Sequence, residues 1–451
     1  MTGFPLVLQD MLWSASVDPI SLRLDEKLTH LSGTNSECYI YKVHDRLRWQ
    51  NEKSYEPEIM AIGPHHHGKD NLQWMEEHKL QYLRLLLKRR NETSVDRYIV
   101  AMRDLQERAL RCYANSVWLN KDEFVQMMLL DSCFLVELFR KFTITSMRDR
   151  NDPLFKIDWI LPTLWRDSLL FENQLPFFVL VELFNMTKVL DPHDNIIDLA
   201  IRYHHCVSQY ASPGPAKILY AYNGISTCGV KHFLGLVYQI TSFSLSKSVP
   251  LKSAVGDKIK KWEHIQCATE LHEIGIKFKK SNCGTIFYNV KFKNGVLEIP
   301  TLVIHEKIEC LFRNGIAYEQ HHLEEDIGLK YATDYLTFLC CLINSSQDVS
   351  LLCRYGILKN MLGGDEVVVS ILNKISTCVV APRDNFYYSQ VFDDVSRYSK
   401  QRRNIWTAML RRDYFNSPWT VISFLGAIML LLLTLTQTVF SILAYLCNKG
   451  C

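Results

Sequence analysis

Apolar residues recur at helical spacing over most of this chain, which predicts a mainly α-helical fold. Helical spacing places on one face the residues Leu72, Met75, Lys79 and Tyr82. Because residues three and four apart share a helix face, this spacing predicts an amphipathic helix over residues 71–90.

Two longer apolar stretches predict the centre of the core. Residues 124–142 are apolar nearly all round, which is typical of a helix buried on every side. Residues 161–184 predict two helices separated near Pro176. A proline is tolerated at the start of a helix because its missing N–H would have no partner there.

One segment alternates apolar and polar residues instead, which is typical of β-strands. It covers residues 285–305 and contains Asn294-Gly295, a pair that tolerates the positive φ of a tight hairpin turn. Pro300 lacks a backbone donor, so we expect the second strand to lie at a sheet edge.

Together these patterns predict a mainly α fold: one large helical domain, one small β-hairpin element and a single C-terminal transmembrane helix. The predicted ranges are an N-terminal arm over 1–35 with a short helix at 22–31, a helical domain over 36–416, a transmembrane anchor over 417–447 and a short tail over 448–451. Within the domain we predict a helix at 95–118, a long loop or insert at 208–258, and helices at 306–321, 326–345, 347–360, 364–376 and 383–416.

The strongest single signal lies at the C-terminus. Residues 419–446 contain no Asp, Glu, Lys or Arg, and about 20 apolar residues suffice to cross a bilayer core. The predicted anchor residues are Trp419, Leu425, Leu430, Leu431, Leu432, Leu433, Phe440 and Tyr445. A helix of this length reaches about 42 Å, which favours a thick bilayer such as the plasma membrane.

The residues around the span predict its orientation. Lys400, Arg402, Arg403 and Arg411 precede it, and Lys449 is the only charge beyond it. The excess of basic residues places the preceding body in the cytosol. The 14 cysteines agree with a reducing compartment, because no C-x-x-C pair occurs among them.

Small and hydroxyl residues form a stripe along the predicted anchor. The stripe consists of Ser423, Ala427, Thr434, Thr438 and Ser441, with Gln437 beside it. Such residues let two helices approach closely, so the anchor can form a homo-oligomer or pair with another membrane helix. The alternative is that the hydroxyls bond their own helix backbone and face lipid.

Charge and motif content exclude several functional classes. The chain carries 51 basic and 48 acidic residues, a net charge of +3, which argues against a nucleic-acid-binding protein. No nucleotide-binding glycine loop, nucleophile elbow or zinc-protease helix is present. The sequence therefore predicts no cofactor and no catalytic or metal-ligating residue, and it favours a non-enzymatic protein.

Several sequence blocks occur in an order that resembles a known plant family. They are the block Ser54–Gly68, the helix Leu72–Leu83, the apolar blocks Met127–Phe139 and Asp167–Phe184, the hairpin block Asn294–Gln320 and the C-terminal span. The chain resembles the plant domain-of-unknown-function 247 family, also called the UPF0481 family. The motif residues that carry the resemblance are Tyr55, Pro57, Gly63, Pro64, His66, Gly68, Asp131, Glu172, Asn173, Gln174 and Pro176.

The resemblance implies no enzymatic activity, because the family has none established. Some members look linked to self-incompatibility in grasses and to reproductive development. What it implies for this chain is a membrane-anchored component of recognition or signalling with an unknown protein partner.

Two groups of residues leave other interpretations open. The run His65-His66-His67 could bind a metal, but its spacing matches no metal motif, so we favour a turn whose histidines satisfy backbone groups. A metal site at His204-His205-Cys206 is also disfavoured, because consecutive side chains of a helix do not share a face. The acids Asp131 and Glu172 lie in apolar blocks, where two carboxylates brought together could perform acid–base chemistry.

Glu137 and Glu182 lie in the same apolar blocks. Buried acids more often meet an arginine or backbone N–H groups, so we favour a structural role for all four. The alternative function is a membrane-associated enzyme that uses these buried acids.

Overall fold

The computed structural model describes residues 18–30, 38–208, 227–248, 263–281, 288–321, 330–377, 379, 386–401 and 418–448. The chain divides into two compact units, residues 1–38 and residues 39–451. In the first unit the helix α1 spans Pro19–His30. The second unit contains every other element described below.

The mainly helical fold class is confirmed. The helices of the larger unit are α2 (Asp45–Arg48), α3 (Gln73–Arg90), α4 (Asp96–Arg111), α5 (Lys121–Thr143), α6 (Pro153–Lys156), α7 (Ile160–Ser168), α8 (Phe177–Met186), α9 (Ile196–Ser208), α10 (Phe233–Ser248), α11 (Ala268–Glu273), α12 (Ile308–His321), α13 (Tyr331–Leu342), α14 (Ser346–Arg354), α15 (Asp365–Ser376), α16 (Ser389–Ser399) and the C-terminal helix (Pro418–Asn448). The strands are β1 (Lys277–Lys280), β2 (Lys291–Lys293), β3 (Val296–Ile299), β4 (Leu302–Ile304) and β5 (Leu358–Asn360).

Helix α5 is the centre of the first hydrophobic core, as its all-apolar sequence predicts. Helices α3, α4, α8 and α9 pack around it. Its N-terminus carries a capping box, in which Asn120 Oδ1 accepts the N–H of Glu123 at 2.9 Å and Glu123 Oε2 accepts the N–H of Asn120 at 3.0 Å. This reciprocal pair satisfies two donors that the first turn would leave unbonded.

A second hydrophobic core is built from α11–α16 and the strands. The predicted hairpin is confirmed: β2 and β3 pair antiparallel, and Asn294 and Gly295 turn with φ of 51° and 75°. The predicted edge position of the second strand is wrong. β1 pairs with β3 in parallel, so β3 lies in the middle of a three-stranded sheet.

The hairpin pattern predicts two neighbouring strands and gives no indication of a third strand that pairs in parallel on the other side of β3. β1 lies before the hairpin and contains only four residues, three of them lysines. The sequence also gave no sign of the two-stranded parallel sheet of β4 and β5, in which Leu302 pairs with Leu358. Pro300 follows β3, between the two sheets, where no ladder donor is needed.

Other predicted boundaries differ from the structure. The predicted loop at 208–258 is interrupted by α10, while residues 209–226 and 249–258 of that range lie outside the described residues. The sequence predicts a long helix at 383–416. Among the described residues of that range the structure has α16, and residues 402–417 lie outside the described residues. The helix predicted at 347–360 ends at Arg354, and its last residues form β5.

Candidate functional site

A loop without helix or strand between Tyr55 and Gly68 passes through the interior of the first core. We call this segment, together with Ser54, the motif loop (Ser54–Gly68). Most of it is buried, including the backbone around Met60, Ile62 and Gly63. Because loops normally run over the surface, a buried loop needs partners for every backbone N–H and C=O. Side chains from α5, α7 and the turn after α7 supply those partners.

Asp167, at the end of α7, holds the first half of the motif loop. Its carboxylate accepts the backbone N–H groups of Ile59 at 2.9 Å and of Met60 at 3.0 Å, and that of Glu58 at 3.1 Å. The neighbouring Arg166 donates to Asp167 Oδ1 at 2.7 Å. Three backbone donors in a row meet one carboxylate, which fixes the local path of the loop.

Arg166 also holds the carbonyl side of the same chain segment. Its guanidinium donates to the backbone oxygen of Glu56 at 2.8 Å and to that of Lys53 at 2.7 Å. Arg166 and Asp167 therefore satisfy acceptors and donors of the loop together. Both side chains are almost fully buried.

The turn between α7 and α8 holds the second half of the loop through Asn173. Its Oδ1 accepts the N–H of Ile62 at 2.6 Å, while its Nδ2 donates to the backbone oxygens of Met60 at 2.8 Å and Asp167 at 2.9 Å. An amide is needed here, because one side chain must both donate and accept.

Gln174 fixes the same turn against its neighbours. Its Nε2 donates to the backbone oxygens of Ser168 at 2.9 Å and Leu170 at 2.7 Å, and its Oε1 accepts the N–H of Leu234 at 3.1 Å. The backbone oxygen of Gln174 lies 2.3 Å from the place where a Cβ on Gly63 would stand, and φ of Gly63 is +72°. Only glycine fits this close approach.

Asp131, in the middle of α5, joins the loop to a buried lysine. Asp131 Oδ2 accepts the N–H of Gly63 at 2.8 Å, and its Oδ1 lies 2.6 Å from Lys79 Nζ. Lys79, which is fully buried, also donates to the backbone oxygen of Ala61 and to Glu76, each at 2.6 Å. Burial lowers the pKa of Lys79, but the charges of Asp131 and Glu76 outweigh burial and hold it above its ordinary value.

His66 lies at the centre of an acid–base cluster at the end of the loop, which we call the His66 cluster (Arg48, Glu56, His66, Lys69 and Glu172). His66 Nε2 lies 3.3 Å from Glu172 Oε2, and His66 Nδ1 lies 3.5 Å from Glu56 Oε2. Arg48 contacts Glu172 and Glu56 at 2.5 Å each, and Lys69 pairs with Glu56.

These charges shift the pKa values of the cluster. Burial raises the pKa of Glu172, but His66, Arg48 and the N–H of Val43 outweigh burial and lower it. Burial likewise lowers the pKa of His66, while Glu172 and Glu56 outweigh burial and raise it. The cluster is therefore most stable with both acids ionised and His66 protonated.

The structure places the three consecutive histidines in different surroundings. His65 packs edge-on against Tyr113, and burial lowers its pKa to about 4, whereas His67 faces Trp118 at a ring distance of 6.5 Å. His66 alone faces the two acids. Within the described ranges, no three histidine, cysteine or acidic side chains lie close enough together to hold a metal ion.

The remaining predicted residues have packing roles around the same loop. Tyr55, Pro57 and Pro64 are buried, and Pro176 is the residue that precedes the first turn of α8. Gly68 has φ of +79° and lies against Trp118. His204 accepts from Trp165 Nε1 at 3.2 Å, and burial lowers its pKa to about 3.

The four candidate acids do not form one catalytic group. Glu137 pairs with Arg89 at 2.5 Å and with Arg140 at 3.0 Å. Glu182 is half-buried on α8, and Glu172 lies in the turn before α8 rather than within a helix. Asp131 and Glu172 each have cations and backbone donors of their own.

Sequence reasoning missed several residues that the site depends on. These are Arg48, Arg166, Asp167 and Asn314, and Lys79 was predicted only as one of the residues that recur at helical spacing over 71–90. Asn314 of α12 accepts the N–H of Phe171 at 2.8 Å and donates to the backbone oxygen of Ser54 at 2.8 Å. A charged or amide residue within an apolar period is the one signal that would have pointed to these residues.

The C-terminal helix carries the predicted anchor residues on a continuous helix. Its apolar segment Ile422–Tyr445 spans 24 residues, and no part of its most apolar window is buried against the protein. Thr434 Oγ1 donates to the backbone oxygen of Leu430 at 2.8 Å, and Thr438 Oγ1 to that of Thr434 at 2.6 Å. This helix is long and apolar enough to be a membrane anchor.

The His66 cluster predicts a specific pH dependence. A histidine whose folded pKa is raised stabilises the fold fully below its unfolded value of about 6.5, and that contribution is lost as the pH rises through the folded value. We expect the free energy of unfolding of the full chain in detergent micelles, measured by urea titration, to fall as the pH is raised above about 6.5.

The histidines with lowered pKa values, among them His65 and His204, titrate below this window and do not contribute to the decline. In a His66→Gln variant the decline should be smaller, and the part that remains near neutral pH comes from Asp334, whose pKa burial raises to about 7. The exposed His193→Gln variant should keep the full decline. A wild-type curve that is flat or rising over this window would contradict the assignment.

Comparison with known proteins agrees with these features. Residues 40–433 match the model of the DUF247 family, described as a plant protein of unknown function. The UPF0481 protein At3g47200 of Arabidopsis thaliana is 30% identical over 437 residues, which cover 93% of this chain and 89% of that protein. The putative UPF0481 protein At3g02645 of the same plant is 23% identical over 486 residues, covering 88% and 89%.

No solved structure matches this chain. The family match includes the motif loop, both hydrophobic cores and the first part of the C-terminal helix. The resemblance inferred from the sequence blocks is therefore confirmed, and the chain belongs to the plant DUF247 family.

Proposed function

We propose that this chain is a non-enzymatic protein held on a membrane by its C-terminal helix, with a helical body that binds another protein at the membrane surface. The observation that carries the proposal is the uncovered apolar segment Ile422–Tyr445. At about 1.5 Å per residue, it reaches about 36 Å, enough to cross a hydrocarbon core of about 30 Å with some tilt. A fit to the thicker plasma membrane is part of the proposal.

The orientation we propose places the body in the cytosol. Arg402, Arg403, Arg411 and Arg412 precede the apolar segment in the sequence, and Lys449 alone follows it. Excess basic residues remain on the cytosolic side of a membrane. The free cysteines of the described chain agree with a reducing compartment.

The non-enzymatic part of the proposal is supported by how the buried acids are used. Asp131, Asp167 and Glu172 accept backbone N–H groups of the motif loop or of Val43, and each also contacts a cation. Two open clefts, of about 540 Å³ and 430 Å³, lie beside α14 and α15. Neither is lined by a residue of the motif loop or of the His66 cluster.

The protein-binding part is supported by aromatic side chains on the surface of the body. Trp49, Trp118 and Trp159 are 83%, 66% and 56% exposed. Tryptophan is among the residues that contribute most to protein–protein binding energy, and exposing it to water without a partner is unfavourable. Trp118 also covers Gly68, so this surface is continuous with the end of the motif loop.

The anchor itself is proposed to self-associate. Thr434 and Thr438 bond their own helix backbone, which supports the lipid-facing alternative for those two hydroxyls. The amide of Gln437 makes no hydrogen bond within the described chain, and it lies on a helix face with Ser423, Ala427 and Ser441. In hydrocarbon such an amide favours a partner on a second helix.

Topology is the first test of this proposal. Three Asn-x-Ser/Thr sequons, which are acceptor sequences for N-glycosylation, begin at Asn91, Asn185 and Asn344. In microsomes, we expect all three asparagines of the full-length chain to remain without glycans, and we expect external protease to digest the body. All three asparagines are exposed, so an enzyme in the lumen could reach them. A glycosylation tag added after Cys451 should be modified, and the chain should resist carbonate extraction. Glycosylated sequons with a protected body would reverse the topology.

The rival enzyme is tested by Glu172→Gln. Removing this charge leaves Arg48 and His66 without their buried partner, so we expect a loss of about 3 kcal/mol in the free energy of unfolding. Glu182→Gln is the matched control, because Glu182 is half-buried and should change stability by less than about 0.5 kcal/mol. Unchanged stability in Glu172→Gln would favour a catalytic or binding role for the acid.

Self-association is tested by crosslinking the full chain in vesicles. Gln437→Leu should reduce the crosslinked dimer several-fold, since each interhelical hydrogen bond contributes about 1 kcal/mol in membranes. Thr436→Leu is the control, because its hydroxyl bonds the backbone oxygens of Leu432 and Leu433 and lies off the proposed face. Equal dimer in both variants would reject pairing through Gln437.

A further inference from the structure

The three-stranded sheet of the second core has one apolar face and one basic face. Phe278 of β1 and Leu297 of β3 are buried in the core. Successive side chains of a strand point to opposite faces, so the neighbours of these residues point outward. The outward side chains of β1 and β2 are all lysines, and all are exposed.

Strand register places these lysines in two rows. The rows are Lys277–Val296–Lys293 and Lys279–Glu298–Lys291. We call the four outward lysines the lysine face (Lys277, Lys279, Lys291 and Lys293). Strands lie about 4.8 Å apart and alternate residues about 7 Å apart, so the lysines occupy the corners of a rectangle of about 10 by 7 Å.

The charges within this face are not balanced. Glu298 lies within the second row, between Lys279 and Lys291, and it pairs with Lys279 at 2.6 Å. The lysine face and Glu298 together therefore carry a net charge of +3. Charges at these separations lie within about one Debye length at physiological salt, so they repel one another unless anions approach.

The sheet that carries the lysine face packs against α16, the last helix described before the C-terminal helix. Tyr398 of α16 packs against Phe292 of β2 at a ring distance of 5.7 Å and covers Gly295 in the hairpin turn. α16 ends at Ser399, and the C-terminal helix begins at Pro418. Even fully extended, the segment between them spans at most about 60 Å, which limits how far an anchored sheet can lie from the bilayer.

We propose that the lysine face binds the anionic headgroups of the membrane that holds the C-terminal helix. The proposal rests on the anchoring proposed above. A sheet face is broad and flat, and lysine stems extend their ammonium groups to a planar surface. Anionic leaflets attract basic residues near their surface, and the sequence between α16 and the anchor adds Arg402 and Arg403 to the same side.

Another role for the same lysines predicts a different behaviour. β1 and β2 are the edge strands of the sheet, and lysines on edge strands prevent pairing with other chains. That role requires no lipid and is indifferent to lipid charge. An acidic protein partner would likewise protect the lysines without dependence on lipid composition.

The experiment compares full-length chain in nanodiscs of phosphatidylcholine alone and of phosphatidylcholine with 30% phosphatidylserine. Each lysine is labelled with a water-soluble acetylating reagent and quantified by mass spectrometry. We expect the lysine face to be labelled at least threefold more slowly in the anionic discs at 50 mM salt. The difference should vanish at 0.5 M salt, where the Debye length is about 4 Å.

Exposed lysines elsewhere on the body provide the internal control. Lys53, Lys88, Lys121 and Lys188 are exposed and should be labelled equally in both discs. A variant with the lysine face changed to glutamine should lose the lipid-dependent protection of β1 and β2 in hydrogen–deuterium exchange. The same changes at the four control lysines should leave that protection intact.

The outcomes separate this proposal from the anchoring on which it rests. If the chain co-elutes with both discs but the lysine face is labelled equally, lipid binding by the face is overturned and the anchoring stands. Protection that is independent of lipid charge and salt also overturns the proposal. If the chain co-elutes with neither disc, the anchoring itself has failed.

Discussion

The rest of this structure depends on burying a loop that has no secondary structure of its own. Helices and sheets satisfy their backbone groups internally, but the motif loop (Ser54–Gly68) cannot. Each buried donor or acceptor left unpaired would cost about 1–3 kcal/mol. Asp167, Asn173 and Asp131 meet that demand for consecutive parts of the loop, so the positions of α5, α7 and the following turn are fixed relative to one another.

The need to bond buried backbone groups also explains why the buried acids of this region already have hydrogen-bond partners. Asp131, Asp167 and Glu172 each accept at least one backbone N–H group and contact a cation, so their hydrogen-bonding capacity is used within the fold. Lys79 shows the principle most directly, because a fully buried ammonium group is stable here only through Asp131, Glu76 and a backbone oxygen. Such an arrangement favours one packing of the loop over others.

The two hydrophobic cores of the larger unit are joined through this polar region. The side chain of Asn314 of α12 accepts the backbone N–H of Phe171 and donates to the backbone oxygen of Ser54. Arg313, its neighbour, is also buried and bonds Glu309 at 2.8 Å. The largest exposed groups lie outside this polar region. They are the surface tryptophans, the lysine face and the apolar part of the C-terminal helix.

The sequence by itself determined the elements whose pattern is local. The period of α5, the break at Pro176, the Asn294-Gly295 turn and the apolar C-terminal helix follow from side chains close together along the chain. The order of its blocks also determined the family. Tertiary structure decided what joins residues far apart in sequence, because pairing across such distances leaves no local period.

Three observations illustrate that limit. β1 joins β3 in parallel and makes β3 central, although the hairpin alone suggested an edge. Glu58, Ile59 and Met60 bond Asp167 across more than a hundred residues. His66 is the middle one of three consecutive histidines, and only folding brings Glu172 and Glu56 to its two nitrogens. Composition can show that a charge is available, but only the packed chain decides which opposite charge it meets.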